Sequence, residues 1–115
     1  MEDKLVYMTE EQIAERKAKV AAIEGLPELR AATADCRKAE NDAIFDKIRE
    51  LDEMRSKYPR AAAYLEAERW IYSANPVKVR LAARALEKIL DGEDPEAVIQ
   101  EMSNGLDAFY MAQEG

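Results

Sequence analysis

The chain has 115 residues, 48% of them hydrophobic and 36% charged, a length and balance that fit one helical domain spanning residues 1–115 with a single core. Histidine is absent, which excludes Ser-His-Asp and Cys-His catalysis and the Glu-x-x-His di-iron pattern of helical bundles, and one cysteine supplies neither a zinc site nor an internal disulfide. The net charge of −7 is unevenly spread: residues 1–46 carry −4, residues 47–88 carry +4, and residues 89–115 carry −7 without a single base.

The first element is announced by Thr9-Glu10-Glu11-Gln12, a capping box in which the Thr9 hydroxyl accepts from the Gln12 N–H and the Gln12 side chain reaches back to Thr9. Met8 and Ile13 are placed as a hydrophobic staple around it. The helix is expected from Glu10 to about Glu24, burying Ile13, Val20, Ala21 and Ile23. Gly25 is its left-handed cap, and Pro27 cannot continue it.

Neither proline nor glycine occurs between Glu28 and Lys57, so one long helix over about residues 28–57 is expected. Such a helix would be about 45 Å long and would overhang a globule of this size. Its apolar stripe changes register. Leu29, Ala32, Cys36, Ala39 and Ala43 form a small-residue face suited to the N-terminal helix. Ile44, Ile48, Leu51 and Tyr58 form a large-residue face about 100° away. A kink near Asn41 and Asp42, or two packing partners, would each account for the change.

Pro59 suits the first position of a third helix to about Ser73. Ala61, Tyr64, Leu65, Ile71 and Tyr72 share one face and Ala63, Ala67 and Trp70 an adjoining one, so this is the expected central element, with Trp70 buried. Glu68 lies in the middle of that stripe. A hydrogen bond or ion pair with a tyrosine or an arginine is preferred over a proton-transfer role. Asn75-Pro76 opens a fourth helix to about Asp91, with Val79, Ala82, Ala83, Leu86, Ile89 and Leu90 on its core face. After Gly92, Asp94-Pro95 starts a last helix whose stripe of Val98, Ile99, Met102, Leu106, Phe109 and Tyr110 continues through Gly105 to about Met111, since an internal glycine costs only about 1 kcal/mol. The expected architecture is all-α, an irregular bundle of about five helices.

There is no Gly-rich phosphate loop and no EF-hand spacing, and carboxylates are scattered over solvent-facing positions, so no catalytic, cofactor-binding or metal-binding residue is assigned. Cys36, beside Ala32 and Ala39, reads as an apolar filler rather than a reactive thiol. Arg80, Arg84 and Lys88, with Lys78, form a basic stripe that Arg60 and Arg69 could extend toward phosphate. The acidic last quarter and a pI near 4.7 argue against nucleic acid. No apolar run reaches bilayer length, and the acidic start Met1–Met8 does not read as a signal peptide, so a cytoplasmic location is expected.

These readings favour a non-enzymatic protein that presents a helical surface to another protein as an adaptor or regulator. Candidate contact residues are Ile44, Ile48, Leu51 and Tyr58 on the large-residue face. Asp91, Glu93 and Glu101 join them because they serve no evident local duty in the acidic end. A homodimer formed by pairing of the long helix is a further expectation. The alternatives are an acidic inhibitor that mimics nucleic-acid charge and a structural assembly subunit. In size, economy of loops and charge the chain resembles accessory proteins of bacteriophages and mobile elements, a likeness of general character that rests on no motif.

Overall fold

The capping box at Thr9 forms: Thr9 Oγ1 accepts from the Gln12 N–H at 3.0 Å and the Thr9 N–H donates to Gln12 Oε1 at 2.9 Å. The computed structural model describes residues 9–114, so the staple expected between Met8 and Ile13 falls partly outside the described residues. Among the described residues the chain makes six helices and no strand: α1 (Glu10–Ala21), α2 (Leu26–Lys38), α3 (Asn41–Lys57), α4 (Pro59–Ile71), α5 (Pro76–Leu90) and α6 (Pro95–Glu114). The all-α irregular bundle is as expected, with one helix more.

The additional helix comes from the long segment, which is not continuous. Ala39 (φ −66°, ψ 140°) and Glu40 (φ −79°, ψ 163°) are extended and separate α2 from α3. The break falls beside the slip in apolar register. A straight helix would hold its two faces about 100° apart, whereas two extended residues let α3 turn back and pack along α2. The small-residue face of α2 consequently meets α3 and α4 rather than α1.

Gly25 fixes the base of this hairpin. Its φ of +77° is left-handed, and a β-carbon there would fall within the Tyr58 ring, which closes over it from the end of α3. Contact between Gly25 and Tyr58 sets α2 and α3 antiparallel.

α4 is the centre of the bundle, packing on α5, α6, α2 and α3. Ala61 and Ala67 are fully buried, and Ala63, Tyr64 and Trp70 nearly so. The small side chains let four helices approach, while Tyr64 and Trp70 fill the wider gaps. Tyr72, expected on the same face, is 83% exposed because α4 ends at Ile71 and the chain leaves helical geometry. Asn75 caps α5 by accepting from the Val77 N–H at 2.9 Å, and Asp94 accepts from the Ala97 N–H at 2.9 Å at the start of α6. α6 runs unbroken through Gly105, where an added β-carbon would lie 2.7 Å from Leu81 Cδ2 of α5. That glycine is a close-approach point between two helices.

α1 departs from expectation. It ends at Ala21 rather than about Glu24, capped by Ala22 and not by Gly25, which instead precedes α2. It holds no fully buried residue and leaves Ile13 and Ala21 exposed, while Val20 is half-buried against the core and Ile23, beyond its end, enters it. Its attachment to α5 is largely ionic, through Arg16–Glu87 and Lys19–Asp91. On α5, Ala83 is exposed and Ala85 is buried in its place. The described residues span 52 × 44 × 25 Å with a radius of gyration of 16.3 Å, against about 13 Å for a compact chain of this length. The bundle is flattened, and α1 and the far end of the α2–α3 hairpin lie at its margins.

Gly25→Ala is expected to lower stability by roughly 2–5 kcal/mol, combining the left-handed backbone penalty with overpacking against Tyr58. In a Tyr58→Ala background the same change should cost only about 1–2 kcal/mol. Urea unfolding of the four-member cycle measures the difference, and equal costs in both backgrounds would contradict the contact.

Candidate functional site

The large-residue face divides along α3. Leu51 is buried in the core and Tyr58 is half-buried over Gly25, so both have structural roles that the sequence reading did not assign them. Ile44 is half-buried, whereas Ile48, one turn further along α3, is 42% exposed. Beside them Phe45 is 76% exposed. It lies one residue off the stripe and was missed for that reason; a large aromatic residue outside the core-facing register was the available signal.

The acidic end is partly neutralised within the molecule. Asp91 lies 3.6 Å from Lys19 of α1, and Glu101 pairs with Lys88 of α5. This corrects the expectation that both lack a structural duty. Glu93 is exposed, and its backbone carbonyl accepts from Arg60.

The basic residues expected along α5 are likewise redistributed. Arg60 of α4 donates to the carbonyls of Ile89 at 2.9 Å, Glu93 at 2.8 Å and Gly92 at 3.4 Å. It caps the C-terminus of α5, where helix carbonyls lack partners and positive charge is favoured. The Lys78 ammonium sits 4.7 Å from the Trp70 ring centroid. With Lys88 held by Glu101, Arg80 and Arg84 remain as the exposed part of the stripe.

Glu68 has an arginine partner. Arg30 Nη1 and Nη2 donate to its two carboxylate oxygens at 2.7 and 2.9 Å, a bidentate fork joining α2 to α4. This hydrogen bond raises the Arg30 pKa. One turn away, Tyr64 is held above the usual 10.0 first by burial and then by the negative charge of Glu68. Trp70 is buried as expected, and its indole N–H donates to Glu66 Oε2 at 3.2 Å. The same oxygen accepts from Arg69 Nη2 at 2.6 Å.

Glu66 and Arg69 border the main concavity, a cleft of about 1060 Å³ walled by α2, α3, α4 and α6. A second hollow of about 520 Å³ lies on the other side of the same residues and reaches Tyr72. Thr33, Arg37, Arg55, Ala62, Glu66 and Arg69 line both, so the two hollows adjoin along these residues. Cys36, half-buried, contributes to its apolar floor with Leu51, Ala63 and Ile99. The groove has no signature in the sequence, because Arg37, Arg55 and Arg69 come from three helices; of these, only Arg69 was singled out there, as an extension of the α5 stripe. No protein-family model, curated protein or solved structure matches the chain.

The folded chain retains the Tyr64 proton at pH values where the unfolded chain releases it. The associated stability is therefore complete below pH 10 and is lost as pH rises through the higher folded value. Tyr64→Phe should reduce the alkaline loss of stability between pH 9 and 11, here about one unit either side of the ordinary tyrosine value. Parallel pH–melting curves for the two proteins test this, and identical alkaline slopes would contradict it.

Proposed function

We propose that the protein is a non-enzymatic interaction protein that offers a helical surface on α3 to another protein. The observation that carries this reading is the exposure of Phe45 and Ile48 together on the far part of the α2–α3 hairpin. Burying a side chain of either kind contributes about 1.5–3 kcal/mol. This pair lies in the first half of α3, ahead of buried Leu51. An apolar pair so placed, with half-buried Ile44 beside it, fits a protein contact. Exposed Glu93, at the turn into α6, supplies charge that steers a basic region of a partner. A second copy is one candidate partner, by antiparallel or crossed pairing of α3. The protein acts in the cytoplasm in this reading.

A photo-cross-linking amino acid at position 45, introduced in the native host, is expected to yield one defined adduct, lost on adding Ile48→Asp. The same group at exposed Ala83 of α5 should not yield it. An adduct of twice the 13.0 kDa chain mass identifies a second copy. Absence of any defined adduct at position 45, or the same adduct from position 83, would contradict the proposal.

A further inference from the structure

The groove beside α4 gathers positive charge in a chain whose net charge is −7. Arg37 comes from the last turn of α2, Arg55 from the last turn of α3 and Arg69 from the last turn of α4. A last-turn arginine has a local explanation in the helix dipole. That explanation does not require three of them to face one concavity.

Their own partners neutralise them incompletely. Arg69 is held by Glu66, Arg55 has only a 3.4 Å contact with Asp52 one turn back, and Arg37 makes no ion pair among the described residues. Glu66 is the one carboxylate among the six residues common to both parts of the groove.

The charge is also extended. α2 and α3 run antiparallel, with Arg37 beside the hairpin turn and Arg55 fourteen residues into α3, toward its base. At 1.5 Å per residue their backbone positions are roughly 20 Å apart along the hairpin. A nucleic-acid backbone could run between such attachment points, but Glu66, Glu68 and Glu96 also line the groove and would repel a continuous run of phosphates. The floor between the arginines is apolar, and Tyr72 stands exposed at one end.

We infer that this groove binds an acidic amphipathic peptide segment of a partner protein, with its apolar side on the Leu51–Ile99 floor and separated carboxylates on Arg37 and Arg55. The inference rests on the reading of the chain as an interaction protein and adds the chemistry of the partner. It uses a surface different from Phe45, so the two can fail separately. A carboxylate accepts both donors of a guanidinium fork, and carboxylates several turns apart on a helix match the arginine spacing. A segment seated in the groove also lies beside the Arg69–Glu66 pair, which holds the indole N–H of Trp70, the chain's single tryptophan, so its emission reports occupancy.

The test titrates full-length protein with a 16-residue Glu/Leu amphipathic peptide and follows Trp70 emission. A Lys/Leu peptide of the same pattern, a 16-nucleotide single-stranded DNA and inorganic phosphate serve as comparisons. The Glu/Leu peptide is expected to bind at least tenfold more tightly than any of these, and more weakly as salt rises. Arg37→Glu and Arg55→Glu should each weaken it at least tenfold with melting temperature unchanged, while Arg80→Glu on α5 should not. Phe45→Asp should leave peptide binding intact, which separates this groove from the α3 surface. Arg37 is exposed and unpaired among the described residues, so its variant is expected to fold even if Arg55→Glu does not. Equal binding of the Lys/Leu peptide, or no effect of Arg37→Glu, would overturn the proposal. Tighter binding of the oligonucleotide would reassign the groove to nucleic acid and overturn it likewise.

Discussion

Close approach of helices around α4 is the constraint on which the rest of the molecule depends. Ala61 and Ala67 are fully buried, so a larger side chain at either position would push a neighbouring helix outward. Tyr64 and Trp70 then complete the buried side of a helix that four others contact, while Glu66, Glu68 and Arg69 keep to its remaining side. Each of the other helices can be placed by its relation to this one. α5 and α6 pack on it and on each other, α2 and α3 form a hairpin against it, and α1 touches chiefly α5.

The charged residues follow from that arrangement. Arg60 begins α4 and ends α5 by donating to the last carbonyls of the latter, so one side chain fixes the relative position of two helices. Arg30 and Glu68 tie α2 to α4 with a bidentate pair. The exposed pairs of α1 with Glu87 and Asp91 contribute much less, since ion pairs in water are worth about 0–1 kcal/mol. A gradient results, from a tightly packed centre to margins held by few apolar contacts. The surfaces proposed for partners belong to those margins and to the groove that opens where the hairpin meets α4.

Local signals in the sequence were read well where one residue decides the outcome. Thr9, Asn75 and Asp94 cap helices as their side chains dictate, Gly25 takes its left-handed geometry, and Pro59, Pro76 and Pro95 each open a helix. The register slip near Ala43 marked a change of packing, but the break itself falls at Ala39 and Glu40, which carry no turn residue. Tertiary contact between Tyr58 and Gly25 holds the hairpin, and such a contact has no local signature. The exposure of α1 was misjudged because periodicity identifies an apolar face without saying whether another helix covers it. The same limit applies to the candidate residues. Leu51 and Ile48 share a stripe, yet only Leu51 is buried in the core. The arginine groove was invisible because its parts are 32 positions apart in the chain, from Arg37 to Arg69.

The central claim is that stability is concentrated in α4 and its close neighbours while α1 and the far part of the hairpin are held less firmly and left available. Native-state hydrogen exchange across a denaturant series measures this directly. Amides in the middle of α4 and α5 should exchange only through global unfolding, with the full denaturant dependence. Those of α1 and of α3 around Phe45 and Ile48 should exchange through smaller openings with little dependence. Equal protection and equal denaturant dependence in α1, the start of α3 and α4 would show one uniformly stable body and contradict the account.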